Sequence, residues 1–510
     1  MSKEVIAIYD VRGIQDYIFR TNVLKEIVGA SFTVANLIID EFEDAVKNSN
    51  LSENEYILDW EKASTLKFEK DENIKIEVLY YGGGNLVVLF RNSELCEDIS
   101  IRMSKNIIKK AHGLSLVYSY VEKTEDYQED WKNLKDALAK VKATTPLTKP
   151  VGVIPIVTYD NVTGLPLSKV IEDNGRTKRV TMEAFQKLKK YKSDNSDSRF
   201  VKELDRMRTS DEEGLISIVH IDGNSMGINI GNIMRSAKNY EDAASRMRKI
   251  SSDIHRIFEI EALNYVVEKL PEICEKHGLK TKPNELPFRP LIMAGDDITF
   301  VCNARIGLDI TKEYIDAIRK GYMYDKEYPF SACAGISIIH SHFPFYMGYQ
   351  IAEACCASAK KRAKSEEYQI DKKIGNFVDF HYSYSGLFTG DLDAVRDKNY
   401  VNVENKSLTR RPYGIFNEEE TEKLNDKQKE CDIDKFIKDI DTVSKISRST
   451  AKEIRDTYYQ SEADLVTLIK RKHLKDENFP IELKPYYNDG VAKYYDALEF
   501  FDLYATKEVK

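Results

Sequence analysis

One spacing in this chain occurs twice and leaves few folds open. An apolar run from Val5 to Tyr9 ends in Asp10, and 72 residues after Asp10 stands Gly82, in the turn of IKIEVLYYGGGNLVVLF. A second apolar run, LISIVHIDG, carries Asp222, and 72 residues after it stands Ala294, in the turn of LIMAGDDITFVC. Each turn divides two apolar runs of strand character, so each reads as a hairpin with buried arms. Helical spacing surrounds them: Ile14, Tyr17, Ile18, then Leu24, Ile27, Val28 in the first stretch, and Ala243 to Leu270 in the second. After each hairpin comes another helix, a strand and a further helix. The order strand, helix, hairpin, helix, strand is the ferredoxin-like pattern. Two copies at an offset of 212 imply an internal duplication. Under that offset Gly84 and Asn85 fall where Asp296 and Asp297 stand, so one copy carries hairpin carboxylates and the other does not.

The expected division is 1–149 for the first copy, 150–213 between the copies, 214–417 for the second copy and 418–510 for a terminal helical bundle. At 510 residues with 42% hydrophobic content, the chain is long enough for three or four domains with proper cores. A net charge of -8 argues against a broad nucleic-acid-binding surface and leaves room only for a local basic patch. The basic stretch from Lys178 to Lys192 reads as helical and is either such a patch or a solvated helix face. Seven cysteines without a CxxC pair fit a reduced compartment, and a cytoplasmic location is expected. No apolar run approaches about 18 residues, so no membrane partner is expected.

The chemistry concentrates at Asp222, Asp296 and Asp297. Asp222 ends a strand that is central in a ferredoxin-like sheet and lies beside the hairpin. Adjacent carboxylates near a core repel one another and are costly unless a cation neutralises them. A hard divalent cation, Mg²⁺ or Mn²⁺, is the expected cofactor, although Asp and Gly are also ordinary turn residues. Such a cluster suits nucleotidyl transfer with release of pyrophosphate, which needs no protein nucleophile. Gly223, Asn224 and Ser225 follow the strand and serve either to bind a nucleotide or simply to form the turn. Gly295 shares the hairpin tip, and Lys360, within ASAKKRAK, is a candidate triphosphate contact. The eight histidines are scattered without metal-ligand spacing, and their one close pair, His340 and His342, flanks a strand end and reads as structural.

These residues resemble the large polymerase-cyclase subunit of type III CRISPR effector complexes and its stand-alone relatives. The resemblance rests on GIQDYIF followed by LKEIVGAS, on YYGGGN, HIDGNSMG, AGDD, FPFYMGYQIAEACCASAKKRAK and RRPYGIF, and spans nearly the whole chain. It implies an α+β fold of two ferredoxin-like palm domains forming a pseudo-dimer, with a helical inter-palm region and a C-terminal helical bundle. It implies metal-binding roles for Asp222, Asp296 and Asp297, and a noncatalytic first palm whose Gly83 and Gly84 face the nucleotides. The implied activity is synthesis from ATP of a cyclic di- or oligonucleotide messenger, an oligoadenylate, in antiviral defence signalling. The alternative is a noncatalytic or regulatory nucleotide-binding scaffold within a guide-RNA ribonucleoprotein, with its complex subunits or a second copy of the chain as partners. Three departures stand out. Ala294 replaces the first glycine of the family's GGDD motif, a change compatible with catalysis. The first palm begins near Glu4, leaving no room for the family's histidine-aspartate nuclease domain, so no DNase activity is expected from that source. The inter-palm stretch TYDNVTGLPLSK carries no cysteine, so structural zinc is not expected.

Overall fold

The computed structural model describes residues 3–61, 65–145, 155–173, 175–193, 199–207, 214–282, 285–383, 390–473 and 486–504. The boundary expected at 149–150 lies outside the described residues, and that at 213–214 lies at their edge. The first copy runs β1 (Val5–Arg12), α1 (Ile14–Phe19), α2 (Leu24–Ala35), α3 (Leu37–Lys47) and the short β2 (Tyr56–Ile57). It continues with β3 (Ile76–Gly82), β4 (Asn85–Phe90), α4 (Ser93–Lys110), β5 (Ser115–Glu122) and α5 (Tyr127–Thr144). Its sheet has the order β2-β3-β4-β1-β5, with β1 antiparallel to both β4 and β5.

Between the copies lie a hairpin, β6 (Leu167–Asp173) with β7 (Arg176–Thr181), and α6 (Met182–Ser193). The basic stretch expected to be wholly helical therefore begins as a strand, where β-branched Val180 and Thr181 favour extended backbone. Its Lys187 is not on a solvated face. The side chain is buried, paired with Glu183 and donating to the Tyr17 carbonyl, while a Cβ on Gly29 of α2 would lie 2.0 Å from the Lys187 carbonyl oxygen.

The second copy runs β8 (Leu215–Gly223), α7 (Met226–Arg235), α8 (Tyr240–Ile254), a π-helical segment (His255–Glu261) and α9 (Ala262–Lys276). The hairpin follows, β9 (Phe288–Ala294) with β10 (Asp297–Asn303), then α10 (Gly307–Ile318) and a small hairpin of β11 (Tyr322–Met323) and β12 (Tyr328–Pro329). Next come β13 (Ala332–His340), α11 (Phe345–Ala363), β14 (Asn376–Tyr382), α12 (Leu392–Asn399) and β15 (Tyr413–Ile415). The sheet order is β15-β14-β13-β8-β10-β9. Reading outward from the hairpin, both sheets place the hairpin strands, then the first strand, then the strand after the second helix. The fold is thus α+β, with two ferredoxin-like palm domains. The 212-residue offset carries β3 onto β9 residue for residue and the start of β4 onto the start of β10. It then drifts, because the β11–β12 hairpin has no counterpart among the described residues of the first copy.

Central β8 is apolar on both faces, as a strand covered on both sides must be. Val219 and Ile221 enter a core shared with α8, α9 and α10, while Ile216 and Ile218 face a core that also holds Tyr17, Phe19 and Ile27 of the first palm. The two palms therefore share buried apolar surface. Helices α13 (Glu418–Glu422), α14 (Asp426–Glu430), α15 (Ile433–Ser444), α16 (Arg448–Thr457) and α17 (Glu462–His473) follow. A hairpin of β16 (Tyr487–Asn488) with β17 (Val491–Ala492) leads into α18 (Tyr495–Tyr504), which packs back on the second palm. All seven cysteines are free and buried. Among the described residues no helix is long and apolar enough to cross a membrane.

Candidate active site

Antiparallel pairing of β8 with β10 sets Asp222 directly opposite Asp297. Opposed residues in such a ladder have Cβ atoms about 5 Å apart, so the two carboxylates share one face at the sheet end. Asp296 occupies the two-residue tip with Gly295, whose φ of 67° needs a glycine. Ala294, by contrast, lies in β9 paired with Asp297, and the positive φ falls on its neighbour. The tip folds across the end of β8: the Gly223 N–H donates to the Asp296 carbonyl at 3.3 Å. A Cβ on Gly223 would lie 2.9 Å from Asp296 Cβ, so a glycine is required there for the tip to close.

Lys360 reaches this corner from the last turn of α11. Its Nζ lies 2.6 Å from Asp222 Oδ2 and donates to the Gly223 carbonyl at 2.9 Å. One ammonium does not offset three acids. Burial, followed by the charge of Asp222, pushes the Asp296 carboxyl up to about 6. Asp297 Oδ1 is buried without a hydrogen-bond partner, although His220 Nδ1 approaches it to 3.3 Å as an ion pair. Burial pulls the His220 pKa down, but its close approach to Asp297, together with the charges of Asp297 and Asp222, outweighs burial and raises the imidazole above its ordinary value. Metal-ligand spacing among the histidines does not single out His220. Period-two alternation would have found it, because residues 220 and 222 of one strand point to the same face. Its ring meets Tyr349 of α11 edge-on at 5.7 Å, and the Tyr349 hydroxyl accepts from Gln15 of the first palm at 3.0 Å.

The remaining expected residues flank this corner. Asn224 is a brace: its N–H donates to the Ser331 carbonyl at 2.8 Å and its Nδ2 to the Gly375 carbonyl at 3.0 Å. Its Oδ1 is buried and unpartnered. Ser225 takes the left-handed turn before α7, with φ 56° and no capping side-chain bond. Gly83 and Gly84 form the tip of the β3–β4 hairpin with φ of 57° and 74°. The two tips face each other closely, for a Cβ on Gly295 would lie 3.9 Å from Gly83 Cα. The first palm also repeats the ion pair of the second, with Asp10, two residues before the end of β1, bonded to Lys142 of α5. Glu259, a residue the sequence did not single out, accepts the Gly295 N–H at 2.8 Å.

Among the described residues no group of three or more His, Cys, Asp or Glu side chains forms a ready-made metal cage. The donors at the hairpin nevertheless fit a hard divalent cation. All are oxygens, their negative charge exceeds the local positive charge, and Asp297 Oδ1 has no hydrogen-bond partner. Magnesium in particular binds through one or two carboxylates and completes its shell with water and substrate phosphates.

Fold and site together define a two-palm protein in which an acidic hairpin meets a glycine hairpin. No protein-family model and no curated protein matches the chain. Among solved structures it is similar to Csm1 in T.onnurineus, with a TM-score of 0.53 and 12% identity, covering 99% of this chain and 70% of that one. It is also similar to a Csm1-Csm4 cassette in complex with cA4, with a TM-score of 0.51 and 12% identity over 98% and 70% of the two chains. The same cassette type in complex with AMPPNP gives a TM-score of 0.51 at 12% identity, over 98% and 70%. At these identities the likeness establishes the fold.

Proposed function

We propose that the protein is a nucleotidyltransferase of the type III CRISPR polymerase-cyclase family that builds a cyclic oligonucleotide, an oligoadenylate, from ATP. One observation carries this reading: the second palm sets Asp222, Asp296 and Asp297 around one strand end and brings that end close to the first palm's glycine tip. Solved neighbours of the same fold, crystallised with cA4, with pppApA and with AMPPNP, support it. In the reaction a ribose hydroxyl attacks the α-phosphorus of a second nucleotide. A phosphodiester forms, the bond to the β-phosphate oxygen breaks, pyrophosphate leaves and the hydroxyl proton is lost. Asp222, Asp296 and Asp297 would hold Mg²⁺ or Mn²⁺, which when bound lowers the pKa of the attacking hydroxyl and stabilises the departing pyrophosphate. Lys360 screens Asp222 in the free protein, and a triphosphate offers its point charge a more anionic partner. The glycine tip lets phosphates or a base approach the backbone closely, since neither Gly83 nor Gly84 would bring a Cβ within 4 Å of anything.

Incubating the pure protein with each nucleoside triphosphate and Mg²⁺, followed by mass spectrometry, tests the reading. ATP should give a cyclic or linear oligonucleotide, and Asp296→Ala with Asp297→Ala should lower its yield by about 100-fold or more. Absence of product from the wild-type protein sinks it. Solved neighbours in a Csm1-Csm4 subcomplex favour a second, partner-bound role as a scaffold in a ribonucleoprotein. Native co-purification with RNA and a second subunit, without turnover of ATP, would favour that role over the enzyme.

A further inference from the structure

One helical rod touches both hairpins. On the first palm, Arg248 of α8 donates from Nε to the Leu79 carbonyl at 2.7 Å, and Ser251 Oγ donates to the Tyr81 carbonyl at 3.0 Å. Gly82 makes the second contact possible, since a Cβ there would lie 2.7 Å from Ser251 Oγ. The rod then becomes π-helical over His255–Glu261, a wider winding that rephases the side chains after Ile254. From that segment Glu259 Oε1 accepts the N–H of Gly295 at 2.8 Å, while its Oε2 lies 3.3 Å from His255 Nδ1. The carboxylate is thus fixed from its own helix and aimed at the acidic hairpin. Ile254 itself lies beside the tip, with its Cγ2 3.9 Å from where a Cβ on Gly295 would stand.

We infer that Glu259 is a positioning residue for the nucleotidyl-transfer site: it anchors the Gly295 tip to the helix that also holds the first palm's hairpin, and so sets Asp296 and Asp297 opposite Gly83. Without that acceptor the tip N–H is unpaired in a half-buried place, which costs free energy and loosens a turn only two residues long. The bond is charge-assisted and hence stronger than a neutral one. The role needs an acceptor at the right reach, not a metal ligand. Its kinetic arm rests on the function proposed above; its structural arm does not.

Two readouts on Glu259→Ala, Glu259→Asp and Glu259→Gln test it. Hydrogen exchange of the 291–302 peptide, followed by mass spectrometry in the full-length protein, should quicken by about tenfold in the Ala variant and in the one-methylene-shorter Asp variant. It should stay near wild type in the Gln variant, whose amide oxygen still accepts. Turnover should follow the same order, with kcat down by about tenfold for Ala and Asp, KM for ATP little changed and activity rescued by Gln. Unchanged exchange in the Ala and Asp variants overturns the inference, as does a Gln variant as impaired as Ala. A wild-type protein that makes no oligonucleotide would sink the proposed function alone, leaving exchange to judge the anchor.

Discussion

Asp296 is where the site works against the stability of the fold. Burial and the neighbouring Asp222 raise its folded pKa to about 6, above an ordinary value of 3.8. A carboxyl raised in this way binds its proton more tightly in the folded state. Its contribution is therefore fully present below pH 4 and is lost as pH rises through about 6. In the presence of a chelator, thermal melts from pH 4 to 7 should show this loss, worth about 3 kcal/mol at neutral pH. Asp296→Asn should remove that slope and raise the melting temperature at pH 7 by about 3 °C. A lower melting temperature for the Asn variant would show that the carboxylate is stabilised by something other than a cation. Turn chemistry and the paired interval made the three acids legible in the sequence. His220 was legible only through its strand alternation with Asp222, and Glu259 not at all, because it stands in no motif and matters only through a neighbour on another element.

Helix α11 carries Lys360 to Asp222, and its seat on β13 is set by one glycine. A Cβ on Gly335 would lie 1.9 Å from the Ala352 carbonyl oxygen and 2.3 Å from the Cys356 nitrogen. Gly335→Ala should force the helix off the sheet and cost about 3 kcal/mol, read as a lower denaturant midpoint. Because Lys360 rides on that helix, the Asp222 pair should be lost as well. An unchanged midpoint would contradict the close approach. Apolar periodicity exposed both elements in the sequence, but the distance between them is a packing fact with no period. The same limit hid the second ion pair. Asp10 and Asp222 obey the 212 offset, whereas Lys142 and Lys360 are 218 apart after the β11–β12 insertion. The inter-palm hairpin β6–β7 was missed because its lysines and arginines mask an extended backbone behind a helix-like charge run.

At the scale of the whole molecule, the C-terminal helices are bolted to the second palm by buried charge. Arg411 is fully buried, lies 3.2 Å from Asp496 and 2.6 Å from Glu499 of α18, and donates to the Phe380 carbonyl of β14 at 2.8 Å. Arg411→Met would leave two buried carboxylates without their cation, a loss of about 3–5 kcal/mol. Chemical denaturation should show it, and an unchanged midpoint would mean that α18 is held by apolar contacts alone. By itself the sequence showed the repeated palm strands, their two hairpins and the three acids, because alternation and turn chemistry act over a few residues, but not β14 and β15, which complete the second sheet. Only the tertiary structure decided that the two tips face each other, that Lys360 answers Asp222, and that Glu259 holds Gly295. Those contacts join segments far apart in the chain: the first arises when the palms bury their shared apolar faces, the other two when the helices of the second palm pack on its own sheet.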